Sequence, residues 1–105
     1  MVDLFTDIAN TIENMTKYDR FRKLCDAAHW METFCDNVLG VTNTEPLPTQ
    51  TDGVLAIHLE SPSDFSGKSQ SVFTAMCRLA DQMYFTARDN GTIRITFNIR
   101  NAYHN

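Results

Sequence analysis

The chain is poor in the residues that build turn-dominated or repetitive scaffolds, with four Gly and three Pro among 105 residues. That scarcity excludes collagen-like and low-complexity classes. Cysteine is also scarce: Cys25, Cys35 and Cys77 are odd in number and form no C-x-x-C pair. A fully paired disulfide framework is excluded, and reduced thiols in a cytosolic compartment fit better. No apolar run approaches the ~20 residues that a membrane-spanning helix needs. The start carries Asp3 and Asp7 rather than a positive segment followed by an apolar one, so no secretory signal is expected. Excess positive charge is missing too. The formal net charge is −4, which argues against broad nucleic-acid binding and is too small for mimicry of a polyanion.

What is present is a foldable composition, 43% hydrophobic and 21% charged, in a length that suits one domain over 1–105. The clearest local pattern is at 92–100, where Ile93, Ile95, Phe97 and Ile99 alternate with Arg94, Thr96, Asn98 and Arg100. This predicts a half-buried strand. Gly53–Glu60 predicts a second, with Leu55, Ile57 and Leu59 on one face and Val54, Ala56, His58 and Glu60 on the other. No third strand is as clear, and Val41–Thr44 is at most a short extended piece in a Pro- and Thr-rich loop over 41–52.

Helical spacing covers three stretches. Residues 3–16 carry Leu4, Phe5, Ile8, Ala9, Ile12 and Met15. Residues 19–39 carry Phe21, Leu24, Cys25, Ala28, Met31, Phe34, Cys35 and Val38. At ~100° per residue these stripes are centred roughly 150° apart, so one straight helix would bury opposite faces in its two halves. A break is therefore expected at Thr16–Asp19, with Thr16 or Asp19 as N-cap and Gly40 as a left-handed C-terminal cap. Residues 68–88 carry the third stripe, from Val72 and Phe73 through Met76 and Leu79 to Met83, Tyr84 and Ala87, stopped by Asp89-Asn90-Gly91.

The expected fold is α/β or α+β: two N-terminal helices followed by a strand–helix–strand unit, its two strands parallel through a right-handed crossover. A small sheet is covered by helices on one face. Two strands alone are marginal, so completion by oligomerisation, as a homodimer or with another protein, is expected.

Trp30 lies about 135° from the centre of its helix's stripe, and Phe85 roughly opposite the stripe of the 68–88 helix. Large rings on polar faces are candidate interface anchors. Arg94 and Arg100 join them as a polar recognition face, with His58 and Glu60 on the matching face of the first strand; the plainer reading is a solvated sheet face with cross-strand ion pairs. Ser66-Gly67-Lys68-Ser69, between strand and helix, is a candidate anion site for a phosphorylated small molecule. It partly resembles the Walker A loop of P-loop nucleotide hydrolases. It departs from that pattern at Pro62, where the first glycine belongs, and at the second strand, which ends without an acid. Cys25, His29, Cys35 and Asp36 offer no convergent metal set, and Cys25 sits in the apolar stripe. Neither metal, cofactor nor catalytic grouping is expected. The function expected is a small cytoplasmic, non-enzymatic interaction protein: an adaptor, regulator or inhibitor of the kind found in phages and mobile elements. The alternative is the phosphate binder at 66–69.

Overall fold

Thr16 opens the first described helix by leaving the helical conformation, φ −66° and ψ 159°, and accepting the Asp19 N–H on its Oγ1 at 3.0 Å. That bond satisfies one of the donors a helix start leaves open. The helix that follows, α1 (Lys17–Phe34), buries Phe21, Leu24, Ala27, Ala28 and Met31 on one stripe. The structure, a computed structural model, describes residues 15–44, 51–60 and 65–103. The helix expected over 3–16 therefore lies outside the described residues except for Met15 and Thr16.

After α1 come β1 (Val38–Thr44), β2 (Gly53–Glu60), α2 (Lys68–Leu79), β3 (Gln82–Ala87) and β4 (Thr92–Ile99). The four strands form one sheet in the order β1-β2-β4-β3, antiparallel at every contact. The fold is mixed α+β. Burial alternates cleanly: Leu55, Ile57 and Leu59 of β2 and Ile95, Phe97 and Ile99 of β4 join the buried residues of α1 and α2 in one core cluster. Val72, Ala75, Met76 and Leu79 are the contribution of α2. Among the described residues the two helices thus cover one face of the sheet and none covers the other.

Several expectations are corrected. The helix expected over 19–39 ends at Phe34, and Val38 and Leu39 belong to β1. Gly40 is not a helix cap. It lies in β1 opposite His58, just after a register shift that leaves Leu39 as a bulge. The short extended piece allowed at Val41–Thr44 is the second half of that strand. The stripe over 68–88 is two elements: the helix ends at Leu79, whose carbonyl accepts the Arg20 Nε–H at 3.1 Å, and β3 begins three residues later. Finally, the strand at 92–99 is antiparallel to β2 rather than parallel. Residues 82–87 form the parallel partner instead, and β4 separates them from β2. The sheet accordingly has four strands, not two.

The β3–β4 hairpin explains the Asp89-Asn90-Gly91 signal. Arg88 N–H donates to the Thr92 carbonyl at 2.9 Å and Gly91 N–H to the Arg88 carbonyl at 3.1 Å. Gly91 takes φ 82°, the left-handed residue that a three-residue hairpin loop requires. At the opposite end, Asn101 (φ 57°) turns the chain back onto the start of β2. Its N–H donates to Asp52 at 3.0 Å, its Oδ1 accepts from Thr51 Oγ1 at 2.8 Å, and Tyr103 N–H donates to the Thr51 carbonyl at 2.9 Å.

Candidate functional site

The two edges of the sheet differ. The β1 edge is broken by the bulge at Leu39, and the outward Val41 N–H is already taken by a Glu32 carboxylate oxygen at 3.0 Å. Bulges and inward-turned charges are how edges are made unavailable to other chains. The β3 edge has neither device. Because Arg88 and Thr92 form a hydrogen-bonded pair, ladder alternation turns the backbone groups of Gln82, Tyr84 and Thr86 toward β4. Those of Met83, Phe85 and Ala87 then face the free edge. No residue from Gln82 to Ala87 is charged.

Side chains add to this edge. Met83 and Phe85 stand opposite Phe97 and Ile95, on the face that the helices cover elsewhere, yet Phe85 is 63% exposed. Tyr84, on the open face opposite Thr96, is 51% exposed. The helical layer therefore stops short of β3. Phe85, read from sequence as an aromatic on a polar helix face, is instead an edge-strand aromatic beside an exposed methionine. Trp30 differs. It is half-buried against the core, its ring 5.0 Å from that of Phe34, which is 65% exposed. Met83 and Tyr84 were missed as surface residues because helical spacing had assigned them to a core stripe. The β-prone run Met-Tyr-Phe-Thr before a turn was the available signal.

The open face carries the polar candidates. Arg94 is exposed in mid-strand, between His58 on β2 and Thr86 on β3. Arg100 lies just past β4, and its N–H donates to Asp81 Oδ2 at 2.9 Å. Arg20 reaches the other oxygen of Asp81 at 3.0 Å, so one carboxylate ties α1, the approach to β3 and the end of β4 together. Burial would raise the Asp81 pKa, but the Arg100 N–H and Arg20 outweigh it and hold the carboxyl below its usual range. Arg94 and Arg100 thus do not share one site: one faces the middle of the sheet, the other its end.

The Ser66–Ser69 segment is described by Gly67, which takes φ 57° at the N-cap of α2 and supplies no side-chain cap. Ser71 Oγ donates back to the Gly67 carbonyl at 3.3 Å. Ser69 Oγ is 3.2 Å from Cys35 Sγ, so that hydroxyl is turned toward α1. Ser66 and Lys68 are exposed. The Cys25 and Cys77 thiols are not poised nucleophiles: burial and then Asp26 push Cys25 up to about 11, and burial raises Cys77. Among the described residues no three His, Cys, Asp or Glu side chains gather as a metal site, and no helix is long and apolar enough to cross a membrane. Comparison with protein families, with curated proteins and with solved structures finds no match.

Proposed function

We propose that this chain is a small non-enzymatic interaction protein of the cytoplasm, an adaptor, regulator or inhibitor, that docks through the β3 edge. The observation that carries the reading is a six-residue strand without charge, with backbone groups at its free edge and Met83, Tyr84 and Phe85 exposed around them. Strand addition to such an edge draws affinity from main-chain hydrogen bonds and selectivity from alternating side chains. The simplest partner is a second copy, pairing antiparallel about a two-fold axis. The register that sets Met83 against the partner's Phe85, with Tyr84 on the axis, meets the requirement that opposed residues share a face and brings the exposed side chains together. Sedimentation equilibrium across a wide concentration range tests this. The unmodified chain should exceed one chain's mass, and Phe85→Lys should return it to one with its fold intact. A mass of one chain at every concentration would end the self-pairing form. If, in addition, no protein bound by the unmodified chain were lost on Phe85→Lys, the edge reading would fail altogether.

A further inference from the structure

One rung of the sheet crosses all four strands on the open face as Gly40, His58, Arg94 and Thr86. Gly40 adds no side chain to this rung, and a methyl group there would meet nothing within 4 Å. Arg88 lies two residues beyond Thr86 and faces the same way. It reaches across β4 and brings Nη1 to 3.4 Å from His58 Nδ1. A guanidinium only donates, so Nδ1 accepts, and Nε2 carries the hydrogen that it gives to Thr42 Oγ1 at 3.1 Å. The imidazole is neutral in this arrangement. Its pKa is lowered first by desolvation and then by Arg88 and Arg94.

Two permanent cations therefore converge on an uncharged ring in a protein of net charge −4. Among the described residues the ion pairs are Arg20–Asp81 and His29–Glu32, and neither guanidinium takes part. Both line an open depression of about 450 Å³ with Thr86, Asp89 and Asn90. The acids nearby are Asp89 in the hairpin loop and Glu60, the next open-face residue of β2, opposite Thr92.

We infer that Arg88, in contact with His58, and Arg94, the cross-strand neighbour of His58 and Thr86, form a binding site for a phosphate-class dianion in the depression that both arginines line. Two planar forks match two edges of a tetrahedral oxyanion, and two positive charges balance its two negative ones. The Arg88–His58 contact is the resting arrangement. A bound dianion draws the guanidinium away and reverses the sign of the charge nearest the imidazole. This site does not rest on docking at the β3 edge, and it lies on the face opposite α2, so it is distinct from the 66–69 segment.

The test is a titration of inorganic phosphate, phenyl phosphate and dimethyl phosphate into the full chain in physiological salt, followed by His58 imidazole and arginine side-chain NMR. Inorganic phosphate should shift the His58, Arg88 and Arg94 signals saturably, with half-saturation at or below about 1 mM, and should raise the His58 pKa. Phenyl phosphate should match it, and the singly charged diester should bind more weakly. Arg88→Gln and Arg94→Gln, both at exposed positions, should each weaken binding about tenfold or more while the melting temperature stays put. Lys68→Ala should leave binding unchanged. A phosphoserine peptide that binds more tightly than free phosphoserine identifies a protein source of the phosphate; equal binding identifies a small molecule. Absence of saturation, persistence of full affinity in both glutamine variants, or loss of binding in Lys68→Ala would each overturn the inference.

Discussion

Gly53→Ala should destabilise the protein, although replacing glycine in a strand ordinarily helps. Gly53 opens β2 directly under the Phe21 ring. A Cβ there would stand 2.5, 2.7 and 2.9 Å from Cδ1, Cγ and Cε1, where ordinary contact begins near 3.4 Å. The ring has little room to retreat, being 2% exposed and held edge-on by Tyr103 at a centroid distance of 5.6 Å. Forcing a methyl group into such a contact costs about 1–3 kcal/mol. Restricting the unfolded chain returns roughly 0.5–1 kcal/mol. The net loss should be about 1–2 kcal/mol, seen as a lower urea midpoint at unchanged slope. Phe21→Leu isolates the cause. It destabilises alone by opening space, but in its presence the Gly53→Ala penalty should disappear, a coupling of about 1 kcal/mol or more. If Gly53→Ala is neutral or stabilising, or if the two changes simply add, the steric argument is wrong.

Truncating Phe85 to Ala should change monomer stability by less than about 0.5 kcal/mol, whereas Met76→Ala in the core should cost about 2–5 kcal/mol; chemical denaturation at low concentration compares them. Trp30→Ala should fall between the two, because its ring rests half-buried against the core. Thr16→Ala should cost about 1 kcal/mol through loss of the cap on α1, read by the same assay. The Asp81 carboxyl titrates below its unfolded value, so its contribution is present above the usual carboxylate pKa and is lost as pH falls through the lowered one. Asp81→Asn should therefore flatten the acid limb of a stability–pH curve. His58, also lowered, adds a separate loss as pH falls below its ordinary value, which Arg88→Gln should reduce.

The sequence was readable where one face of an element is buried and the other is wet. β2 and β4 satisfy that condition, and alternation located both nearly to the residue. α1 satisfies it too, and Thr16, one of the two caps that side-chain chemistry offered, is the one used. β1 and β3 are edge strands, and β3 is exposed on both faces, so selection for a period of two is weak there. The apolar residues Met83, Tyr84 and Ala87 happen to continue the three- and four-residue spacing of α2, which extended the helix past its end. Gly40 after an apolar stripe looked like a cap because a bulged edge strand tolerates glycine equally well. Arg94 was legible as an outward residue of β4. Arg88 was not, because its meeting with His58 depends on a hairpin that the sequence had hidden inside a helix.

The strand order has a consequence for how the molecule comes into being. β4 is the last of the described strands yet occupies an interior place, paired with β2 on one side and β3 on the other. A nascent chain can close the β1–β2 hairpin early, but β3 has no neighbour until residues 92–99 have left the ribosome. Until then two unsatisfied edges, one of them the apolar β2 edge that β4 will cover, compete for any strand within reach. β4 is therefore the piece that joins β3 to the β1–β2 hairpin. Slow translation just before Thr92 would prolong that exposure and favour pairing between neighbouring nascent chains.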